Sequence, residues 1–177
     1  RPAYKKCFRA LNEEWLSEHF SIEEHDARVL RDPNGMILRK GGVILFALMN
    51  GTVAGTCALV KHRNGMLELS KMAVEPRFRG RGIGGALVNA SMERARAMGA
   101  SRLYLQTSPV LKEALRLYRR LGFRQLRTNP LPAAPYRRCS LAMVIGLGRA
   151  APGKGASVGR MAGRWTTVGR GGASELS

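Results

Sequence analysis

Four glycines and three arginines alternate through one short stretch of the chain, Arg77-Phe-Arg-Gly-Arg-Gly-Ile-Gly-Gly85. The stretch follows an apolar run from Leu67 to Val74 that predicts a buried strand, and a helical apolar spacing begins near Ile83. At such a junction free backbone N–H groups and the positive end of the helix dipole point to one place, and glycines let the backbone approach a ligand. With the arginines adding positive charge, the stretch predicts a phosphate-binding turn.

The pattern does not fit the common nucleotide-binding turns. Gly80, Gly82 and Gly85 satisfy G-x-G-x-x-G, but that pattern alone is weak. In a dinucleotide-binding fold the first glycine directly follows the strand, and an acidic residue ends the next strand. Here five residues separate Val74 from Gly80, the next predicted strand ends at Thr107 without an acid, and no lysine follows the glycines. Both nucleotide hypotheses are therefore disfavoured.

Two motifs resemble those of one enzyme family. Arg77-Phe-Arg-Gly-Arg-Gly82 resembles the Q/R-x-x-G-x-G/A signature of the GNAT superfamily of acyl-CoA-dependent N-acyltransferases, in which this turn holds the CoA pyrophosphate. Downstream, Ala114-Leu-Arg-Leu-Tyr-Arg-Arg-Leu-Gly-Phe123 resembles the family's A-x-x-L-Y-x-x-x-G-F segment. The resemblance is strongest over Leu67 to Phe123. It implies an N-acetyltransferase that moves an acetyl group from acetyl-CoA, as co-substrate, to a primary amine by direct attack in a ternary complex.

Such a reaction needs a base, because an alkylammonium ion has a pKa of about 10 in water. By resemblance Glu68 matches the glutamate that acts as base in histone-acetylating members of the superfamily, although a structural role in the strand stays open. Tyr118 matches the family's general acid at the CoA sulfur. A phenol can protonate a thiolate only if its pocket reduces the difference between the pKa of the phenol and that of the thiol. The alternative is that Tyr118 only fills the core.

The resemblance also implies the cofactor contacts. The predicted strand that ends at Val74 is expected to bulge, so that Met72, Ala73 and Val74 contact the pantetheine arm of CoA through their main chain. One of their N–H groups is expected to polarise the thioester oxygen. The pyrophosphate contacts fall on Arg79, Gly80, Arg81, Gly82, Gly84 and Gly85. Ser108 is a weaker candidate, since the family often has an asparagine nearby. No metal site is predicted, because His19, His25 and His62 lack ligand spacing and are expected at the surface.

The elements around these residues follow from apolar periodicity. Tyr4 to Phe20 is predicted helical, and Ser21-Ile-Glu-Glu24 predicts the capping box of a second helix that runs to Arg31. Asn50-Gly51 predicts a hairpin between two strands. The remaining predictions are strands over Gly42–Met49, Thr52–Val60, Arg102–Thr107, Phe123–Arg127 and Cys139–Leu147, and helices from Ile83 to Met98 and from Pro109 to Leu121.

These elements predict an α+β domain. The resemblance makes it a GNAT-type mixed, mostly antiparallel central sheet flanked by helices, with a splayed parallel strand pair that holds CoA. We assign this domain to residues 1–147. Residues 148–177 are rich in Gly, Ala, Ser and Arg without an apolar period, and predict a basic, disordered tail.

The charge is unusual, with 30 Lys and Arg against 12 Asp and Glu and a net charge of +18. A basic nucleic-acid- or ribonucleoprotein-associated protein with an inactive acyltransferase fold is therefore the alternative function, although arginine-rich coding explains the charge equally well. We favour a small-molecule or peptide amine as partner over nucleic acid, in a monomer or homodimer.

The cysteines bear on location. Cys7, Cys57 and Cys139 are odd in number and without C-x-x-C spacing, which favours a reducing, cytoplasmic location. No apolar run approaches about 18 residues and no signal-peptide pattern opens the sequence, so no membrane association is expected.

Overall fold

Two helices open the chain. The computed structural model describes residues 2–62, 64–130, 136–148, 164–169 and 172–176, and its first elements are α1 (Pro2–His19), α2 (Glu24–Arg31) and a short π-helical turn (Asn34–Leu38). The predicted capping box is displaced: α2 begins after Glu23, whose N–H donates to the Asp26 carboxylate at 3.2 Å. Ser21 therefore does not cap this helix. Asp26 is buried and serves two purposes, since it also belongs to the site described below.

A mixed sheet forms the centre of the fold. Its elements in chain order are β1 (Val43–Met49), β2 (Thr52–Lys61), β3 (Leu67–Val74), α3 (Ile83–Ala97), β4 (Arg102–Thr107), α4 (Lys112–Arg120), β5 (Arg124–Gln125) and β6 (Leu141–Gly146). The strand order is β5-β6-β4-β3-β2-β1, followed by two further strands beside β1. Only β3 and β4 pair in parallel among these strands. The predicted α+β class, with its mostly antiparallel sheet, is confirmed.

Both faces of the sheet are covered by helices. Along β1, Leu45 faces the core beneath α3, whereas Ile44 and Phe46 face the core that contains Phe8 of α1 and Leu30 of α2. Successive side chains of a strand point to opposite faces, so a strand buried on both sides has an almost continuous apolar sequence. That explains the unbroken apolar run of β1.

The turns and helix ends refine the predicted boundaries. Asn50 and Gly51 have φ angles of 49° and 78°, which is the left-handed pair that the predicted hairpin requires. The last helix begins at Lys112 rather than Pro109, because the backbone first makes a tight turn in which the Leu111 N–H donates to the Ser108 carbonyl. The closing strands β5 and β6 are shorter than predicted.

The predicted tail contains two strands, β7 (Arg164–Gly169) and β8 (Gly172–Leu176). They form an antiparallel hairpin on the edge of β1, with Leu45 opposite Thr167. The prediction of disorder is therefore not met in these two ranges. The lack of an apolar period was not a sufficient reason to predict disorder. Trp-Thr-Thr-Val within β7 favours a strand, and β1 offers an edge with which that strand can pair. The rest of the tail from residue 149, and residues 131–135 of the predicted proline-rich loop, lie outside the described residues.

Among the residues that the structure describes, no helix combines the length and the apolar character needed to cross a membrane.

Candidate active site

The site begins where β3 and β4 part. The two strands pair in parallel only from Leu67 opposite Leu103 to Leu69 opposite Leu105, although β4 continues to Thr107. On its other side β3 pairs with β2, but Lys71 and Met72 together occupy the place opposite the single residue Cys57. This is the bulge that the resemblance implied, and Lys71 adopts a left-handed φ of 51° to make it. Beyond Leu69, the edge of β3 that faces β4 therefore has no strand partner within the part of the chain that the structure describes.

A narrow cavity of about 120 Å³ lies between the separated strands. Met72 lines it from β3, Thr107 and Ser108 from the end of β4, and Tyr118 from α4. Among the described residues, no group forms a hydrogen bond with the Tyr118 hydroxyl. Burial raises the pKa of Tyr118 above its ordinary value of 10.0. The pocket therefore does not lower the pKa of the phenol toward that of an ordinary thiol, which the general-acid role was expected to need. Burial in the same cavity also raises the pKa of a departing thiol, however.

Glu68 lies at the inner end of this cavity and is 7% exposed. Its Oε2 atom is 2.7 Å from His62 Nε2, and its Oε1 atom accepts a hydrogen bond from Gln106 Nε2 at 3.3 Å. Asn129 donates to the Gln106 carbonyl oxygen at 3.0 Å, which fixes the amide so that its NH₂ group points to Glu68. The carboxylate is therefore held in one orientation from both sides.

A wider cavity of about 650 Å³ adjoins the narrow one. His25, Lys40, Lys61 and His62 supply polar groups to its wall, and Val29 with its neighbours supplies an apolar part. The two cavities share the side chains that stand between them, which are Glu68, Ser70, Lys71, Gln106 and Tyr136. Glu68 is thus accessible from both sides, and a group in one cavity can meet a group in the other at its carboxylate.

A buried ionic cluster supports this shared wall. Asp26 accepts both N–H arms of Arg138, at 2.8 and 2.9 Å, and the Lys71 Nζ atom at 3.1 Å. Lys71 also donates to the Tyr136 hydroxyl, and Arg138 also donates to Glu23 at 2.9 Å. The cluster joins α2, the bulge of β3 and the segment before β6. Because Lys71 belongs to the bulge, the cluster fixes the place where β3 leaves β4.

The cluster changes the pKa values of its members. Burial alone raises the pKa of Asp26, but the hydrogen bonds from Arg138 and the charge of Lys71 outweigh it, so the Asp26 pKa is lowered. Burial lowers the pKa of Lys71, and the nearby Asp26 carboxylate offsets only part of that effect. Burial, and then the charges of Lys71 and Arg28, lower the pKa of His25. His25 is therefore neutral near pH 7.

The glycine turn lies between β3 and α3, after a short 3-10 turn at Pro76–Phe78. Gly80 and Gly82 have φ angles of 75° and 76°, which explains glycine at both positions. Gly84 and Gly85 lie in the first turn of α3, against Leu117 of α4. Among the described residues, no acceptor takes a hydrogen bond from any N–H group between Gly80 and Gly85. The turn is exposed, and a row of free N–H groups at a helix N-terminus suits a phosphate.

The arginines of the turn are partly engaged within the protein. Arg79 forms an ion pair with Glu18 of α1 at 2.8 Å and donates to the Val74 carbonyl at 3.2 Å. The Arg81 guanidinium lies over the Phe78 ring at 5.7 Å, on the exposed surface. Arg79 therefore holds the turn against α1, and Arg81 is the freer of the two predicted phosphate ligands.

The predicted site residues fall into three groups. Glu68, Met72, Ser108 and Tyr118 line the narrow cavity together. The residues from Arg79 to Gly85 form the exposed turn. The side chains of Ala73 and Val74 instead pack in the core, so these two residues offer the cavity only their backbone, and the Val74 carbonyl is occupied by Arg79.

Comparison with known proteins agrees with this geometry. A family model, the acetyltransferase (GNAT) family, matches residues 4–123. The chain belongs to the GNAT acetyltransferase family. It is 42% identical over 72 residues to YjgM, an uncharacterized N-acetyltransferase of Escherichia coli, covering 41% of this chain and 43% of that one.

Two further similarities come from a human enzyme and a bacterial structure. Human N-acetylaspartate synthetase is 35% identical over 103 residues, which are 58% of this chain and 34% of the relative. The chain thus spans less than half the length of either curated relative. The structure of yncA, a putative acetyltransferase from Salmonella typhimurium with its cofactor acetyl-CoA, superposes with a TM-score of 0.64 at 20% identity, covering 88% of this chain and 95% of that one.

The GNAT chain has the features that a CoA molecule requires. Its turn offers unpaired N–H groups to a pyrophosphate, and the unpaired edge of β3 offers N–H and C=O groups to an extended arm. The narrow cavity then leads from that edge to Tyr118 and Glu68. The residues present fit the cofactor of the family.

Sequence reasoning missed most of the polar residues around Glu68. His25 and His62 were expected at the surface, and both line the wide cavity instead. For His62 a signal was available: it stands six positions before Glu68, and the turn between β2 and β3 brings the two side chains together. For the cluster of Asp26, Lys71 and Arg138 no local signal exists, because its members come from distant parts of the chain.

We expect that Asp26→Asn lowers the free energy of unfolding by about 3 kcal/mol at pH 7, since it leaves the buried Lys71 without a carboxylate and Arg138 with Glu23 alone. The folded pKa of Asp26 lies below the ordinary 3.8, so its stabilisation is complete above that pH and is lost as the pH falls through the folded pKa. The deficit should therefore shrink below about pH 4. Urea unfolding at pH 7 and pH 3.5 measures it. Glu113→Gln, which removes an exposed carboxylate paired with Arg116, is the control. A deficit of equal size at both pH values contradicts the assignment.

We expect that Gly82→Val weakens CoA binding by about tenfold or more, because a β-branched residue disfavours a φ of 76° and its side chain stands among the free N–H groups. Gly51→Val is the matched control, since Gly51 has a φ of 78° in open space at the hairpin between β1 and β2. Calorimetric titration with CoA compares the two variants. Unchanged CoA affinity in the Gly82 variant would remove the phosphate site from this turn.

Proposed function

We propose that this chain transfers the acetyl group of acetyl-CoA to a primary amine, by direct attack within a ternary complex. The observation that carries the proposal is the position of Glu68, which stands between the two cavities and is reached from both. Direct attack requires the amine and the thioester to meet at one place. The names of the curated relatives describe N-acetyltransferases and an N-acetyl product, which supports nitrogen as the acceptor atom.

The narrow cavity and the turn are assigned to the cofactor. Acetyl-CoA, when bound, supplies an acetyl group activated as a thioester. The N–H groups from Gly80 to Gly85 bind the pyrophosphate. The edge of β3 from Met72 to Val74, at which the Val74 carbonyl already accepts from Arg79, orients the arm through its remaining backbone groups. One N–H of this edge polarises the thioester oxygen, as an oxyanion-hole donor does. Ser108 adds a hydroxyl at the end of β4.

The wide cavity is assigned to the amine, with Glu68 as its base. Because His62 and Gln106 hold the carboxylate from opposite sides, its remaining lone pairs have a fixed direction. The proton leaves the ammonium nitrogen for a Glu68 oxygen, directly or through a water, and His62 stabilises the carboxylate by its hydrogen bond. His62 is a positioning residue in this scheme.

Tyr118 is assigned to the departing sulfur. Tyr118 lines the cavity, and its hydroxyl has no hydrogen-bond partner among the described residues, so it is free to donate to a ligand atom. Burial raises the pKa of the phenol, so transfer of its proton to a thiolate is favourable only where the thiolate has also lost its hydration. The role is therefore confined to the moment at which the C–S bond breaks inside the cavity.

Glu68→Gln is expected to lower kcat/KM by about 10²- to 10⁴-fold near neutral pH, where few amines are unprotonated. The deficit should shrink as the pH rises toward the pKa of the amine, because solvent then supplies the neutral nucleophile. A pH–rate profile with one amine measures it. The control is Glu75→Gln, since Glu75 is a carboxylate of the turn that pairs with Arg77 and lines neither cavity. A deficit that stays constant with pH would show that Glu68 only positions the amine.

Tyr118→Phe is expected to lower kcat by about 10²-fold or more while the packing of the ring is kept. The loss should shrink with a thioester whose leaving thiol is more acidic, because that thiolate needs no proton. Single-turnover rates with acetyl-CoA and an activated acetyl thioester test this, with Tyr4→Phe in α1 as the control. Native kcat in the Tyr118 variant would end the assignment.

A further inference from the structure

The wall of the wide cavity contains more basic than acidic side chains. Lys40, Lys61 and Lys71 line it, whereas Glu68 is the one carboxylate among its lining residues that the structure describes. An enzyme that binds only an alkylammonium ion gains nothing from such a wall, because like charges repel. An anionic group elsewhere in the acceptor would account for the excess of positive charge at this wall.

Lys71 does not account for the excess, because its charge is balanced within the protein. It belongs with Arg138, Asp26 and Glu23 to a cluster of two cations and two carboxylates joined by hydrogen bonds. Such a cluster contributes little net charge to the cavity. The unbalanced positive charge consequently lies on Lys40 and Lys61.

Lys40 and Lys61 are exposed, and neither has an ion-pair partner among the described residues. They lie at the same end of the cavity, because the Lys61 side chain lies beside Gly41, the residue that follows Lys40. Val60, not Lys61, is directly opposite Glu68, so the Lys61 side chain leaves the end of β2 on the other face of the sheet. Lys61 nevertheless lines the same cavity as Lys40 and Glu68, so one ligand in that cavity can contact all three residues.

We propose that the acceptor amine carries an anionic group, a carboxylate or a phosphonate, which Lys40 and Lys61 bind while its amine lies at Glu68. The inference rests on the proposed function, since it identifies the chemical class of that acceptor. The two lysines bind the anionic oxygens, and His25 is an uncharged hydrogen-bonding group on the same wall. The apolar side chains of Val29, Met36 and Ile37 contact the carbon chain between the two ends. Diamines and polyamines bring a second cation to the two lysines and are disfavoured.

The test compares amines that differ in one charge. With the full chain and acetyl-CoA, CoA release is measured for β-alanine against β-alaninamide, for 2-aminoethylphosphonate against its diethyl ester, and for 1,3-diaminopropane. The anionic member of each pair should have the higher kcat/KM, by about tenfold at low salt. Raising the ionic strength should reduce this preference, because the lysines are exposed. The two pairs also separate carboxylate from phosphonate recognition.

Variants then assign the preference to its residues. Lys40→Gln and Lys61→Gln should each raise KM for the preferred anionic amine by about three- to tenfold and leave its uncharged partner and acetyl-CoA unaffected. The double variant should abolish the preference, and Lys61→Glu should favour 1,3-diaminopropane. Lys5→Gln, which removes an exposed lysine of α1 outside the cavity, is the control.

The outcomes separate this inference from the proposed function. Faster turnover of the amide, the ester or the diamine would overturn the inference and leave the acetyltransferase function standing. If no amine releases CoA, the proposed function fails, and calorimetric titration of the protein–CoA complex with the same amines decides the inference alone. Tighter binding of the anionic amines, lost in the double lysine variant, supports it. Equal binding of all five overturns it.

Discussion

The active site depends on the separation of two strands that begin as partners. β3 and β4 pair for three residues and then diverge, because the bulge at Lys71 and Met72 turns β3 away. A lysine in a left-handed conformation is unfavourable by itself, and its ion pair with Asp26 and its hydrogen bond to Tyr136 hold it there. A mixed sheet without this bulge would stay closed, and neither the cofactor edge nor the narrow cavity would exist.

The same ion pair relates the bulge to the acceptor side. Asp26 caps α2 and receives Lys71 and Arg138, so the helix that carries His25 and Val29 is fixed relative to the strand that carries Glu68. A buried ion pair gives little net stability compared with apolar packing, but loss of one partner leaves the other buried and unpaired. The cluster therefore specifies one arrangement of the two cavities rather than adding much to the stability of the fold. That suits the direct transfer proposed above, in which the two substrates must meet at one place.

Local patterns made the strands and the turn of the proposed cofactor half predictable from sequence. The bounds of β3 and β4 follow from apolar runs, and the structure confirms them. The glycine turn lies between β3 and α3 as predicted, and the structure adds the positive φ angles of Gly80 and Gly82. The acceptor half depends on contacts between distant segments: Asp26 meets Lys71 across 45 positions and Arg138 across 112. Sequence periodicity does not show which distant residues are paired, and nothing in the sequence distinguishes the buried Lys71 from an exposed lysine of a strand. The hairpin of β7 and β8 was missed for a related reason, since its strands are specified by the edge of β1.

Arg79 connects the glycine turn to the helix that forms one wall of the narrow cavity. The sequence assigned its charge to the pyrophosphate, yet in the fold the guanidinium is divided between Glu18 and the Val74 carbonyl. Glu18 lies in the last turn of α1, one turn beyond Trp15 and Leu16, which line the narrow cavity. In the proposed cofactor site, the position of α1 beside the pantetheine arm is therefore tied to the turn proposed to hold the phosphates. An anion bound at that turn would compete with Glu18 for Arg79 and so alter the contact that fixes the α1 wall of the narrow cavity.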